Sequence, residues 1–523
     1  MDQVSWGAEW WAANGRPIVD AYASHDMGAV LAAISRAPST YLQYIKAVYE
    51  RSPEHVIIET FLIVFILYIS FVKKSKLPKQ AADRLTPAEI QSLVDEWQPE
   101  PIVAPISDAT IAAATYNLGI VEDTPGTHMK LRGIASPVLN LGTMDFLGMA
   151  NRDEIKTTAR NALTKYGCGS CGPRGFYGTI DTHEILEKDI AHFIGTTDSI
   201  TFSDIEATAS SVLPAFAKRG DLIIVDDGVN DSIRTGVNLA RCTTLYYKHN
   251  DMADLERVLK SVRDADKKAG RRSDCQRRYI VTEGLFRNYG DILPLPQVVA
   301  LARAYYFRLF VDESFSFGVL GATGKGVTEH FNLPIDSIDI ICGSLCTSLA
   351  GVGGFSTGSQ HVVDYQRINS AGYVFSASAP PYTSAVCSEA IRLLKNEPSL
   401  VAQLKANAQA AHAALRASSL LTVLSDPESP VLHATTANAP LTQAQAAAIV
   451  QACLAKGVAV VAGDHKPTPL KTAAFSTIRL TVNAQHSAEH IATACRVVVD
   501  AIAAHAPAAS TAATTNDGLR RRK

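Results

Sequence analysis

The chain has 523 residues with 49 Lys+Arg against 51 Asp+Glu, a net charge of −2, so no overall basic field draws it to nucleic acid. With 47% hydrophobic and 19% charged residues, disorder along the whole chain is excluded, and the length suits about three domain-sized units or one large α/β core with an appendage. Mean hydropathy is slightly positive at +0.06, and the excess comes from an Ala-rich C-terminal third and one apolar run near the N-terminus.

That run, 56–72 (VIIETFLIVFILYISFV), has 17 residues and spans about 26 Å as a helix at about 1.5 Å per residue. This matches a thin bilayer such as the endoplasmic reticulum, at about 27 Å, and the alternative is a buried core helix. Its one charge, Glu59, lies in the first turn, and Tyr68 lies toward the far end. Lys73, Lys74, Lys76, Lys79 and Arg84 follow it, against Arg36, Lys46 and Arg51 before, so the larger C-terminal part is expected in the cytosol and 1–55 in the lumen or at its surface. Trp6, Trp10 and Trp11 suit an interface or plain packing. Residues 73–135 read as a linker and N-terminal arm, proline-punctuated at EWQPEPIVAP (96–105).

Strand-like runs then recur at 199–202, 222–225, 244–247, 279–282, 309–312 and 338–342, alternating with amphipathic helices such as 252–262 and 295–305. The alternation predicts an α/β large domain over 136–387, with a mostly parallel sheet that binds ligands beyond the carboxyl ends of its strands. From 388 to 505 long Ala-rich helices and a closing strand and helix predict a small α+β domain. Residues 506–523 are low-complexity and read as a disordered tail whose basic end is a retrieval signal or merely solvated.

Nine cysteines at irregular spacing make no disulfide framework, and Cys168-Gly-Ser-Cys171 lacks the partners of a zinc site. Gly321 to Gly326 is not a P-loop, because Gly326 stands where a Mg-binding hydroxyl is needed. Gly351-Val-Gly353-Gly354 has no acidic ribose partner.

The informative feature is an ordered set of segments: YGCGSCGPRGFYGTIDTHEILE (166–187), VDDGVNDS (225–232), YYKHNDMADLERVL (246–259), VDESFSFGVLG (311–321), SLCTSLAGVGGF (344–355), FSASAPP (375–381) and IRLTVNAQHS (478–487). Together they resemble the α-oxoamine synthases, fold-type-I transferases that use pyridoxal 5'-phosphate, over residues 87–504. EWQPEP (96–101), CGPRGFYGT (171–179) and GVTEHF (326–331) narrow the resemblance to a non-lysine subunit of a heterodimeric member. Such a family needs a lysine to bind the cofactor, an aspartate at its pyridine nitrogen and a histidine on its ring face. By that resemblance the lysine position is Thr347, the stacking histidine is Asn230, and the aspartate survives as Asp312 with Phe315 where a histidine follows it. Asp312 is equally readable as a structural strand-end carboxylate. Lys325, the nearest lysine to the lost position, sits in a glycine turn.

The resemblance implies that a lysine-bearing partner subunit holds the cofactor and that this chain reaches across the interface. Candidates are Tyr166, Cys171, Arg174 and Tyr177, with Ser376 or Ser378 donating to the cofactor phosphate; interface packing alone is the other reading of Cys171 and Tyr177. Arg479 matches the family's substrate-carboxylate position and is vestigial if the chain is not catalytic. The implied reaction joins L-serine to palmitoyl-CoA, giving 3-oxosphinganine, CO2 and CoA. Small activating subunits and Orm-type regulators are implied as further partners at the membrane.

Overall fold

The computed structural model describes residues 46, 50, 53–72, 86–103, 105–107, 111, 119–271 and 276–505. The expectations for 1–45, for 73–85 and 112–118 of the linker and arm, and for the tail at 506–523 lie outside the described residues. The chain divides into two compact units, 1–104 and 105–523.

The first unit carries helix α1 (Pro53–Val72) and helix α2 (Pro87–Glu96). Thr86 starts α2 with a reciprocal cap: its hydroxyl accepts from the Glu89 amide at 3.3 Å while its own amide donates to the Glu89 carboxylate at 2.7 Å. In α1, Ile57, Phe61, Leu62 and Ile66 are exposed. Several α1 side chains lie outside the described set, and among the described residues no helix is long and apolar enough to cross a membrane. The spanning role expected of 56–72 is therefore not established by this helix.

The second unit is built on a seven-stranded sheet of β1 (Asp198–Phe202), β2 (Leu222–Asp226), β3 (Thr243–Tyr247), β4 (Arg278–Glu283), β5 (Arg308–Asp312), β6 (Ile340–Ser344) and β7 (Gly354–Gly358), in the order β1-β7-β6-β5-β4-β2-β3. The pairs among β3, β2, β4, β5 and β6 are parallel, and β7 runs antiparallel to both β6 and β1. Every residue of β2, β4 and β6 is buried, as expected of strands covered on both faces by helices.

All six expected strands are present. The last begins at Ile340 rather than 338, because a 3-10 turn at Ile335–Ser337 precedes it and Asp339 lies outside the strand, its amide reaching Leu309 O. The seventh was not anticipated, since GFSTG has no apolar run. It is held by close approach: Gly343 leaves room for the Phe355 ring, and Gly354 for the Thr208 hydroxyl.

Helices α3 (Asp153–Tyr166), α4 (Asp181–Ile194), α5 (Glu206–Phe216), α6 (Asp231–Ala240), α7 (Met252–Ala269), α8 (Leu295–Tyr305), α9 (Gln360–Asn369) and α10 (Pro381–Asn396) accompany the sheet. Asp251 caps α7 by accepting from the amides of Ala253 and Asp254, and Gly270 ends it in the left-handed region at φ +59°, one turn and more beyond the expected 262. In the large core Phe317 meets Phe193 and Phe355 edge-on at 5.8 and 5.1 Å.

A second core joins helices α11 (Ser399–Arg416), α12 (Gln443–Ala455) and α13 (Ala488–His505) to a four-stranded antiparallel sheet of β8 (Leu421–Val423), β9 (Val431–Thr436), β10 (Val461–His465) and β11 (Phe475–Thr481). Leu415, Leu432, Ile449, Ile478 and Val498 are fully buried in it.

Candidate functional site

Parallel pairing brings polar residues together at the carboxyl edge of the large sheet, where Glu283 ending β4 lies opposite Asp312 ending β5. Asn230 joins them from the N-cap of α6. Its side-chain oxygen accepts from the Ile233 amide at 3.0 Å, its amide NH2 donates to Asp312 Oδ2 at 3.0 Å, and its backbone N–H donates to Glu283 Oε1 at 2.6 Å. Ser314 N–H donates to Asp312 Oδ1 at 2.8 Å, and the Thr347 hydroxyl donates to Ser314 O at 2.7 Å. Phe315 packs edge-on against Phe146 with centroids 6.1 Å apart. The four positions read as vestigial, Asn230, Asp312, Phe315 and Thr347, are thus one buried, hydrogen-bonded wall.

The glycine-rich segment and the FSASAPP loop, more than 190 residues apart in sequence, form a second feature. Ser378 N–H and its hydroxyl both donate to Gly172 O, at 2.9 and 3.1 Å, and the Ser170 hydroxyl donates to Ser378 O at 2.9 Å. His183 joins the two sides: Nδ1 accepts from Ile180 N–H at 3.0 Å, which leaves Nε2 to donate to Ala379 O at 2.8 Å. Residues 174–178 make a tight turn closed by the Phe176 and Gly178 amides on Pro173 O. Cys171 at φ +60° and Tyr177 at φ +64° occupy the left-handed region, a strained place for residues with side chains.

These two joined segments make a platform that carries exposed aromatic side chains. Tyr177 is fully exposed (103%), Phe375 is 82% and Phe176 66% exposed, with Cys168 and Cys171 also at the surface. Ser376 is half-buried near Ser203, Ser378 is turned into the Gly172 carbonyl, and the Tyr166 hydroxyl donates to Asp181 at 2.5 Å. Arg174 faces inward, where both of its terminal nitrogens grip buried Glu187 at 2.6 and 3.0 Å. An arginine so engaged holds the turn and does not reach an anion outside it. Glu187, Arg367, His183, Phe176 and Phe375 were not picked out from sequence; only Glu187, His183 and the two phenylalanines lay within segments already singled out there.

Residues 136–498 match the family model for class I and II aminotransferases. Long chain base biosynthesis protein 1b of Oryza sativa subsp. japonica is 43% identical over 379 residues, 72% of this chain and 76% of that protein. Serine palmitoyltransferase 1 of Dictyostelium discoideum is 42% identical, over 72% of this chain and 78% of that one. The chain belongs to the serine palmitoyltransferase 1 family. Among solved structures, a serine palmitoyltransferase with a pyridoxal phosphate internal aldimine superposes with a TM-score of 0.66 at 27% identity, covering 80% of this chain and 96% of that one. The Sphingomonas wittichii serine palmitoyltransferase gives 0.66 at 26% identity, covering 81% and 98%.

In this member of the serine palmitoyltransferase 1 family the chain's own wall does not fit pyridoxal phosphate. No amine stands at Thr347, both oxygens of Asp312 are engaged by Asn230 and Ser314, and Phe315 supplies a hydrocarbon ring where a donor is needed. Lys325 lies in the glycine turn, where its backbone N–H donates to Glu329 at 3.1 Å. Among the described residues the Arg479 side chain is engaged only by Gly142 O at 3.4 Å and its Nε is buried without a partner; burial together with Arg287 pushes its pKa down to about 10.

The same end of the sheet holds buried titratable groups. Burial, with Asp312 beside it, raises Glu283 to about 8, and burial raises Glu313 to about 7. His249 is held between Asp226 and Asp291 at 2.8 and 3.1 Å; burial opposes its charge, but the two carboxylates win and raise it well above 6.5. A raised folded pKa gives stability that is present below the unfolded value and lost as pH rises through the folded one. All three groups therefore act in the same direction between pH 6.5 and 8.5. Thermal unfolding is expected at lower temperature at pH 8.5 than at 6.5, at about 1.4 kcal/mol per proton and pH unit. Glu283→Gln should flatten that dependence, and an unchanged slope would count against a protonated Glu283.

Proposed function

We propose that this chain is the lysine-lacking subunit of a serine palmitoyltransferase that condenses L-serine with palmitoyl-CoA, releasing CO2 and CoA to give 3-oxosphinganine. The observation that carries the reading is Thr347: the position where the family's covalent chemistry needs an amine holds a hydroxyl bonded to Ser314 O inside a closed wall. The second subunit supplies the lysine and holds pyridoxal phosphate. This chain completes the partner's site with the platform of Cys171, Phe176, Tyr177 and Phe375, and Tyr166, Ser376 and Ser378 border it. Exposed aromatic side chains on a braced turn are what an obligate interface buries.

The membrane reading rests on the apolar run at 56–72 and the exposed side chains of α1. It places a single-pass anchor in the endoplasmic reticulum with the second unit in the cytosol, and makes α1 the contact for small activating subunits and Orm-type regulators.

One experiment addresses both. The chain is co-expressed with a lysine-bearing partner, with and without residues 53–72, membranes are collected, and the complex is reduced with borohydride. The pyridoxyl label is expected on the partner alone, and this chain should leave the membrane fraction when 53–72 is removed. Label on this chain would overturn the assignment. Unchanged activity of a Tyr177→Ala complex would reduce the chain to an inert scaffold.

A further inference from the structure

Beneath the platform lies a buried carboxylate that ties its two halves together. Glu187 on α4 accepts the fork of Arg174 from the turn and, through Oε2, two contacts at 3.3 Å from Arg367 on α9. Its Oε1 also takes the amide and hydroxyl of Thr201 on β1 at 2.9 and 3.1 Å. Arg367 donates to the Tyr373 hydroxyl at 3.2 Å, and the Arg174 guanidinium lies 5.4 Å from the centre of the Tyr373 ring. Tyr373 stands two residues before Phe375 and Arg174 two before Phe176. One carboxylate, 4% exposed at its side chain, therefore sets the register of both halves of the platform. Burial works to neutralise Glu187, yet Arg174 and Arg367 keep it ionised, below the usual carboxylate range. The cluster is disproportionate to the packing of a surface turn, for which apolar contacts would suffice.

We propose that Glu187, acting through Arg174 and Arg367, is a positioning residue for the catalytic site of the assembled enzyme: it fixes where Phe176, Tyr177 and Phe375 meet the partner subunit. This rests on the site-completing role given above. Misplacement of a site-completing group by about 1 Å lowers turnover by as much as a hundredfold while leaving most ground-state binding in place.

The test uses the full complex with its partner. Glu187→Gln is expected to co-purify as the same assembly, with kcat lowered at least about tenfold, KM for L-serine little changed, and the cofactor's absorbance spectrum altered on addition of serine. Thr201→Val, which removes hydrogen bonds but no charge, is expected to lower kcat less, and Glu187→Asp to recover part of what Gln loses. Wild-type kcat in Glu187→Gln overturns the proposal, as does a loss that merely follows the amount of complex formed. If Glu187→Gln does not assemble, Thr201→Val decides, and an unchanged kcat there overturns it. Tyr177→Ala separates the two layers. Activity lost in Tyr177→Ala but kept in Glu187→Gln removes only the positioning role, whereas activity kept in both removes site completion itself.

Discussion

Gly178→Ala in this chain is expected to lower the activity of the assembled enzyme by about a hundredfold while the two subunits still co-purify. A Cβ at 178 would fall inside the Gly172 carbonyl and against Pro173 O. Backbone atoms stand on both sides, so no rotamer change relieves the clash, and the turn has to open. Opening it releases the Gly178 amide from Pro173 O and the left-handed Tyr177 beside it, so the exposed ring no longer projects in one direction. Gly178 is buried and the turn carries Arg174, so opening it loosens the buried Arg174–Glu187 pair and the unfolding temperature of the complex should fall as well, as for a loss on the order of 3 kcal/mol. Steady-state assay of the purified complex beside a thermal melt checks both parts. Full activity in a correctly assembled variant would rule out any role for the turn beyond surface cover.

Restoring the lost lysine by Thr347→Lys is expected not to restore cofactor capture. Thr347 is buried beside Ser314, Asp312 is shared between Asn230 and Ser314, and Phe315 fills the position of a hydrogen-bonding ring. A lysine introduced alone places an ammonium in that wall with no arranged acceptor, at a cost on the order of 3 kcal/mol that depresses its pKa or unfolds the site. The isolated variant should take no pyridoxyl label on borohydride reduction and should melt below the wild type. Label is expected only when Asn230→His and Phe315→His accompany it. Efficient labelling of the single variant would show that the wall is open and that the missing amine was the only defect.

The large sheet was legible because fully buried parallel strands announce themselves as apolar runs, such as 222–225 and 279–282, between helices with their own caps. β7 escaped for the opposite reason. GFSTG is held by glycines that admit neighbouring side chains, and no local property of five residues encodes who the neighbour is. Arg174 shows the same limit at the site. Its segment stands out in the sequence as a candidate contribution across the interface, yet the Arg174 side chain turns inward to Glu187 on α4. Two arginines converging on one carboxylate depend on how α4, β1 and α9 pack.

By itself the sequence determined the family, the α/β class and the loss of the amine, because each of these is a matter of residue identity at a position: Thr347, Asn230 and Phe315 cannot supply what lysine and histidine supply. Only the tertiary structure decided what became of the vacated chemistry. Parallel pairing sets Glu283 against Asp312, Asn230 bridges both, and burial raises the pKa of the two carboxylates. Likewise it alone joined 166–179 to 375–381 through Gly172 and Ser378. The physical reason is range. Valence and charge belong to a side chain wherever it sits, whereas desolvation, ion pairing and projection depend on neighbours that the chain brings together only by folding.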